Sequence, residues 1–201
     1  MMRRCEERTT RDLILYDILI PALQCLYKVD YANIYYRASE RNICARLAHH
    51  IENRMRDYDK NYCRGLFADY YADVEYNRMG NGDLKHYENS EHKPKYMVSD
   101  LLIQKRGYGR NLLAVEMKRK GNKRGVETDK KRLKALVSSP NDVEMARKCV
   151  HDTLFGTFII YSEKSLTIEV FENIDGKGIE TDLLYFEYNK EAEQKLISTM
   201  R

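Results

Sequence analysis

The chain has 201 residues, is 33% charged and 43% hydrophobic, carries a net charge of +4, and contains three prolines and no tryptophan. That balance excludes a disordered chain and fits one compact globular domain. No apolar stretch approaches the roughly 20 residues of a membrane span, and the opening Met1-Met2-Arg3-Arg4-Cys5-Glu6-Glu7 has no signal-like apolar block, so a cytoplasmic protein without a membrane partner is expected.

In chain order, Thr10 to Lys28 reads as a helix with Leu13, Ile14, Ile18 and Leu23 on one face, and Pro21 predicts a kink or a fresh start within it. Ser39 is a candidate cap for the next helix, whose apolar positions Ile43, Leu47, Ile51 and Met55 recur at helical spacing. Glu40 shares that buried-facing stripe, which asks for a reason: it completes a functional site, or it favours the positive end of the helix dipole. Tyr71 to Asn77 reads as a strand ending before Gly80-Asn81-Gly82, with Glu75 on the face of Asp73 and Asn77, approaching a site or solvated. Asp83 to Pro94 is polar and reads as a loop or an extended hairpin arm.

Two apolar runs follow, Lys95 to Ser99 before Asp100, and Leu112 to Val115 before Glu116. Between them, Lys105 to Asn111 contains the glycines of a tight reversal, which brings Asp100 beside Glu116. Alternation along the second strand places Glu116 and Lys118 on one face, with Val115 and Met117 on the other. Two acids and a lysine so arranged can assemble a divalent-metal site, although half-buried strands also carry charges on a solvent face by accident.

Thr128 is read as the cap of a helix from Asp129 to Val137 packing Leu133, Leu136 and Val137, broken by Pro140, with a second short helix over Val143 to Cys149. Thr157 to Tyr161 and Leu166 to Phe171 form a hairpin, Asp175 to Gly178 leads to a strand near Leu183 to Tyr188, and Glu191 onward reads as a terminal helix. The cations Arg119, Lys120, Lys123, Arg124, Lys130 and Lys131 follow the acid-x-Lys pair, either as a solvated face or where a phosphate backbone needs neutralising. The five cysteines, Cys5, Cys25, Cys44, Cys63 and Cys149, lack the close spacing of zinc ligands and read as reduced thiols, and adjacent His49 and His50 point differently around a helix. Sixteen tyrosines offer stacking faces for bases, though on strands such rings more often fill core and rim.

Glu40-Arg41, Glu75-Tyr76-Asn77-Arg78, Asp100 followed by Leu101 to Gly107, and the apolar strand ending Glu116-Met117-Lys118 together resemble the PD-(D/E)XK nuclease superfamily, in particular its small bacterial members. The match covers the middle half of the chain, and Ser99 stands where the superfamily name expects proline. The resemblance implies a restriction-endonuclease-like α/β fold, with a central mixed sheet flanked by helices. It implies a single domain over 1–201, made of an N-terminal helical extension (1–38), a nuclease core (39–161) and C-terminal strands and helix (162–201). It further implies Mg²⁺-dependent hydrolysis of phosphodiester bonds, with Mn²⁺ as a substitute. Asp100, Glu116 and the Met117 carbonyl would be metal ligands, Glu40 would hold a water or a second ion, Lys118 would orient the attacking water and stabilise phosphate charge, and Glu75 would be an auxiliary catalytic residue. The implied partner is nucleic acid, DNA ahead of RNA. No sequence-reading motif is present, so specificity falls to loops, a homodimer or a protein partner. Two alternatives stand beside this: a catalytically inactive nuclease-like fold that binds nucleic acid or protein, and an unrelated fold whose acids are surface charges.

Overall fold

The computed structural model describes residues 9–62, 65–75, 98–105, 110–138 and 153–189, together with the backbone of 86–88, 94–96 and 195–198. The chain opens with α1 (Thr10–Asp12), which runs through a π-helical stretch (Leu13–Leu19) into α2 (Ile20–Val29). The N–H of Ile20 donates to the carbonyl of Leu15, five residues back, just before Pro21 enters the first turn of α2. Proline cannot supply its own N–H, and the wider register lets the helical path continue through it, so the expected interruption takes the form of a register change.

After the short α3 (Tyr31–Tyr35) comes α4 (Glu40–Asn61), and Ser39 caps it as expected, its hydroxyl accepting from the Asn42 N–H at 3.2 Å. Ile43, Leu47, Ile51 and Met55 are buried along one face of α4. At about 1.5–3 kcal/mol for each such side chain removed from water, this stripe outweighs the few tenths contributed by an exposed pair such as Glu52 and Arg56.

Strands β1 (Tyr70–Val74), β4 (Leu101–Lys105), β5 (Leu113–Arg119), β6 (Phe155–Tyr161), β7 (Ser165–Ile174), β8 (Lys177–Asn189) and β9 (Lys195–Ser198) form one sheet in that order, while β2 (His86–Glu88) and β3 (Pro94–Tyr96) pair as a separate antiparallel hairpin. Within the sheet only β5 and β6 are parallel, joined by the crossover that contains α5 (Val126–Val137). Leu113, Val115 and Met117 face α4 and the N-terminal helices. Ala114 lies on the opposite side with Leu133, Leu136, Val137, Phe158 and Phe171. The result is a mixed α/β domain with a mostly antiparallel sheet between helical layers. Among the described residues no helix is long and apolar enough to cross a membrane.

Several boundaries differ from the sequence reading. The strand that pairs with β5 is Leu101–Lys105, after Asp100, and not Lys95 to Ser99 before it. The reason is burial: Leu101, Leu102, Ile103 and Gln104 are all buried, as a central strand needs. The helix expected from Asp129 begins at Val126, entered from Gly125 at φ 77, so Thr128 sits in its first turn and caps nothing. Strand β1 stops at Val74, one residue before Glu75 at φ 52. The chain from Glu191 was expected to be helical, yet 195–198 extends the sheet as β9. The long β8 has an edge of unpaired main-chain groups that a strand satisfies and a helix does not. Strand β2 falls within the arm expected over 83–94, β3 starts at its last residue and runs into the segment expected as a strand from Lys95, and the helix expected over 143–149 lies outside the described residues.

Candidate active site

Strand β5 is longer than its neighbour β4, and the overhang builds the site. The ladder between them ends at Leu101 opposite Val115, so one step further places Asp100 opposite Glu116. Beyond that point the N–H groups of Met117 and Arg119 leave β5 on the side where β4 has ended. Two carboxylates take them: Asp100 Oδ2 accepts from Met117 N at 2.7 Å, and Glu40 Oε1 accepts from Arg119 N at 3.2 Å. The short α3–α4 connection and the α4 cap deliver Glu40 to this edge, where it also accepts from Asn122 Nδ2 at 3.0 Å. Because the N–H and C=O of a strand residue leave by the same edge, the Met117 carbonyl is directed to the side of Asp100.

The other face of β5 carries Glu116 and Lys118, under α5. Glu116 is 1% exposed, and its Oε1 lies 3.1 Å from Arg132 Nε. Arg132 also donates to the Val98 carbonyl at 2.6 Å and pairs with Asp129, which is buried. Lys118 Nζ lies 3.2 Å from Asp129 Oδ2 and 3.4 Å from Glu40 Oε2. These ion pairs are close in distance, yet Glu116 Oε1, Asp129 Oδ2 and Arg132 Nε are buried atoms without a hydrogen bond of acceptable angle. Buried groups in that condition are uncommon and carry a desolvation cost.

Burial raises the Glu116 carboxyl well above the ordinary range, and the charge of Asp100 adds to this. Asp100 is raised too, by burial, against the Met117 N–H and the charge of Lys118, which favour its ionised form. Burial would also raise Glu40, but Asn122, the Arg119 N–H and Lys118 together hold it below its usual value. For Lys118 burial opposes the charge, and the hydrogen bond and charge of Asp129, with those of Glu40 and Asp100, raise it nonetheless. Cys44, buried on α4, feels the same acids: burial first, then Asp100, Glu116 and Glu40, push its thiol upward. It is an inert thiol beside the site.

The structure thus brings Asp100, Glu116, Lys118, Glu40 and the Met117 backbone together. Glu75 stands at the margin. Its N–H donates to the Asp100 carbonyl at 3.2 Å, while its exposed carboxylate pairs with Arg41 at 3.1 Å. Of the proposed phosphate-neutralising residues, Lys120, Lys123, Arg124 and Lys131 are exposed. Arg119 is committed to the fold, donating to the Ile34 carbonyl at 3.0 Å, pairing with Glu163 at 3.2 Å and lying over the Tyr161 ring. Lys130 pairs with Glu169 at 2.5 Å.

Asp129 and Arg132 are the residues that sequence reasoning missed. A signal was available: Asp129, Leu133 and Leu136 fall on one helical stripe, so Asp129 raises the question that Glu40 raised. His49 and His50 lie apart from these residues on α4. His50 Nε2 meets Asp30 Oδ2 at 2.6 Å on the far part of α4, and Asp30 is held from the other side by Arg46 at 2.8 Å.

Among the described residues no three His, Cys, Asp or Glu side chains lie so as to hold a metal ion by themselves. The hard-oxygen set on offer is two carboxylates, Asp100 and Glu116, and the Met117 carbonyl. That suits Mg²⁺, which is commonly held by one or two carboxylates and keeps several waters. The charges agree with this set. Among the described residues, four carboxyl groups, Asp100, Glu116, Asp129 and Glu40, meet the cations Lys118 and Arg132, so with every acid ionised the described part of the cluster carries an excess of negative charge that a divalent ion would offset. No family model, curated protein or solved structure matches this chain.

Proposed function

We propose that this protein is a Mg²⁺-dependent phosphodiesterase acting on nucleic acid, with a restriction-endonuclease-like core formed by α4, β1, β4, β5, α5 and β6. The observation that carries the reading is the buried Glu116 oxygen without a well-angled hydrogen bond, beside Asp100 and within a cluster whose described residues carry more carboxylates than cations. Asp100, just ahead of β4, and Glu116, on β5, meet at the edge of a central mixed sheet with helices on both sides.

Asp100, Glu116 and the Met117 carbonyl would hold the ion, which when bound supplies Lewis-acid polarisation and lowers the pKa of water. Lys118, whose charged form is favoured by Asp129, Glu40 and Asp100 against its burial, acts by orienting water and by stabilising negative charge on the phosphate. Glu40, held below its ordinary value, is an ionised acceptor able to orient a water against Lys118. Arg132 fixes Glu116 and Asp129 from behind. The exposed Lys120, Lys123, Arg124 and Lys131 lie just downstream of the site residues, where they can meet a phosphate backbone.

The test is cleavage of labelled single- and double-stranded DNA and RNA in Mg²⁺, Mn²⁺ and EDTA. Cutting with either ion and none in EDTA is expected, lost in Glu116→Ala and Asp100→Asn while the fold is kept. A Glu116→Ala protein that cuts as fast as the wild type would refute the assignment.

A second reading has its own observation. Arg132 and Lys118 already pair with Glu116, Asp129 and Glu40, and Asp100 and Glu40 also serve as caps for the β5 overhang. A non-catalytic nucleic-acid-binding module would use the acids in this way. It predicts binding that is equal with and without chelator, and no cut product with any substrate.

A further inference from the structure

Both ends of the α3–α4 connection are tied to one residue of the site strand. At one end the Ile34 carbonyl accepts from the Arg119 guanidinium, and at the other the Glu40 carboxylate accepts from the Arg119 backbone N–H. Tyr35, Tyr36 and Arg37 lie between these anchors, one residue along β5 from Lys118, so the exposed connection is fixed at the edge of the acid cluster.

The tyrosines there are prearranged. A column of rings rises from the core: buried Tyr27 lies 5.2 Å from Tyr188, Tyr188 stacks on Tyr31 at 4.7 Å, and Tyr31 stacks on Tyr35 at 6.1 Å. Hydrogen bonds hold the column at its base, Tyr27 donating to the Ser162 carbonyl at 2.8 Å and Tyr31 to the Glu163 carbonyl at 3.3 Å. Its outer end is 57% exposed at Tyr35, and Tyr36, 79% exposed, stands against it at 83°. Two large rings at a right angle and open to solvent present faces on which a flat group can stack.

Arg37 adds a cation. α3 ends in a Schellman arrangement, with Ala38 N donating to the Asn33 carbonyl at 2.8 Å and Arg37 N to the Ile34 carbonyl at 3.3 Å. That motif puts Arg37 at φ 57, where glycine is the favoured residue. An arginine held in a conformation that disfavours it is a candidate for a side-chain role. Exposed Lys120, Lys123 and Arg124 follow Arg119 in the chain, on either side of Asn122, whose side chain donates to Glu40.

We propose that Tyr35, Tyr36 and Arg37 form a docking platform for an unpaired nucleotide, so that the substrate class is single-stranded nucleic acid: a base stacks in the corner of the two rings, and Arg37 meets its phosphate. This deepens the nuclease reading and rests on nucleic acid being the substrate. Stacking needs a free base face, which a closed duplex does not present, whereas aromatic platforms with flanking cations take single strands of any sequence.

The test is fluorescence anisotropy of a labelled single-stranded DNA and of its blunt duplex, both in EDTA, so that binding is read without cleavage. The wild type is expected to prefer the single strand. Tyr35→Ala and Tyr36→Ala should each weaken that binding by about tenfold, Tyr36→Phe should restore it, and duplex binding should stay as in the wild type. Arg37→Ala should flatten the dependence of log Kd on log salt by about 0.7. Single-strand binding unchanged in the double alanine variant, or a duplex bound as tightly as the single strand, would overturn the platform. Ring-dependent binding in EDTA with no cleavage in Mg²⁺ sinks the hydrolytic reading alone; cleavage that ignores both rings sinks this one alone.

Discussion

Ionising Glu116 without a metal works against the fold. Its carboxyl is almost fully buried, Asp100 lies beside it, and Arg132 is the cation that pairs with it among the described residues, with Lys118 acting through its charge. An acid whose folded pKa is raised contributes its full stability below the unfolded value, about 4.3 for glutamate, and that contribution is lost as pH rises through the folded value. In chelator at neutral pH, Glu116→Gln is therefore expected to be more stable than the wild type by on the order of 1 kcal/mol, with the difference vanishing below about pH 4. Urea unfolding at several pH values measures it, and a variant that is less stable at neutral pH would mean that the charge of Glu116 is already neutralised by Arg132. The opposite change is expected at Arg132. Removing it in Arg132→Ala strips the counter-charge from Glu116 and Asp129 and frees the Val98 carbonyl. Loss of a partner from a buried ion pair costs about 3–5 kcal/mol, here near the lower end because Lys118 still faces Asp129. The same urea series reads it, and added Mg²⁺ should recover part of the loss.

At the scale of the elements, the position of α5 decides whether Asp129 and Arg132 reach the site, and β8 constrains α5 by close approach. A Cβ built on Gly178 would stand 2.3 Å from the Lys134 carbonyl oxygen, a backbone atom that cannot yield without moving the helix. Gly178→Ala is expected to destabilise the fold by about 1–3 kcal/mol and to shift α5 away from β5. Its check is paired: a lower midpoint in denaturant and weaker Mg²⁺ binding. Weakened binding without destabilisation would argue against a shift of the whole helix. This coupling also explains what could be read in advance. Glu116 and Lys118 were legible because a strand alternates strictly, and Glu40 because it shares a stripe with Ile43 behind a recognisable Ser39 cap. Asp100 was placed correctly beside Glu116 but on the wrong strand, since Lys95 to Ser99 and Leu101 to Lys105 are both apolar enough to qualify and only the burial of Leu101 to Gln104 separates them. Asp129 and Arg132 depend on the phase of α5, which Gly125 sets and Thr128 does not. In sequence Arg132 is one of a run of cations. Only the packing of α5 across β5 turns it inward while Lys131 stays in solvent.

For the molecule as a whole, the metal, the protons and the fold are one linked equilibrium. Without metal, Asp100 and Glu116 both stand above their ordinary values, so stability should decline as pH rises above about 4 and through those values. An ion bound by both carboxylates needs them ionised, so binding releases protons and tightens as pH rises. The two dependences oppose each other. Mg²⁺ should raise Tm little near pH 5 and progressively more toward pH 8. At a concentration about 100 times Kd the linkage is worth about 2.7 kcal/mol, or roughly 5–10 °C for a chain of this size. Thermal melts with Mg²⁺ and with EDTA across that pH range test it, with Glu116→Gln as the comparison: its melts should show no Mg²⁺ shift and a flatter pH profile. A shift that is absent at every pH, or that persists undiminished in Glu116→Gln, would move the ion away from these carboxylates. The negative charge of the cluster would then be met by protons, and Asp100 and Glu40 would be left with their other task of closing the overhanging edge of β5.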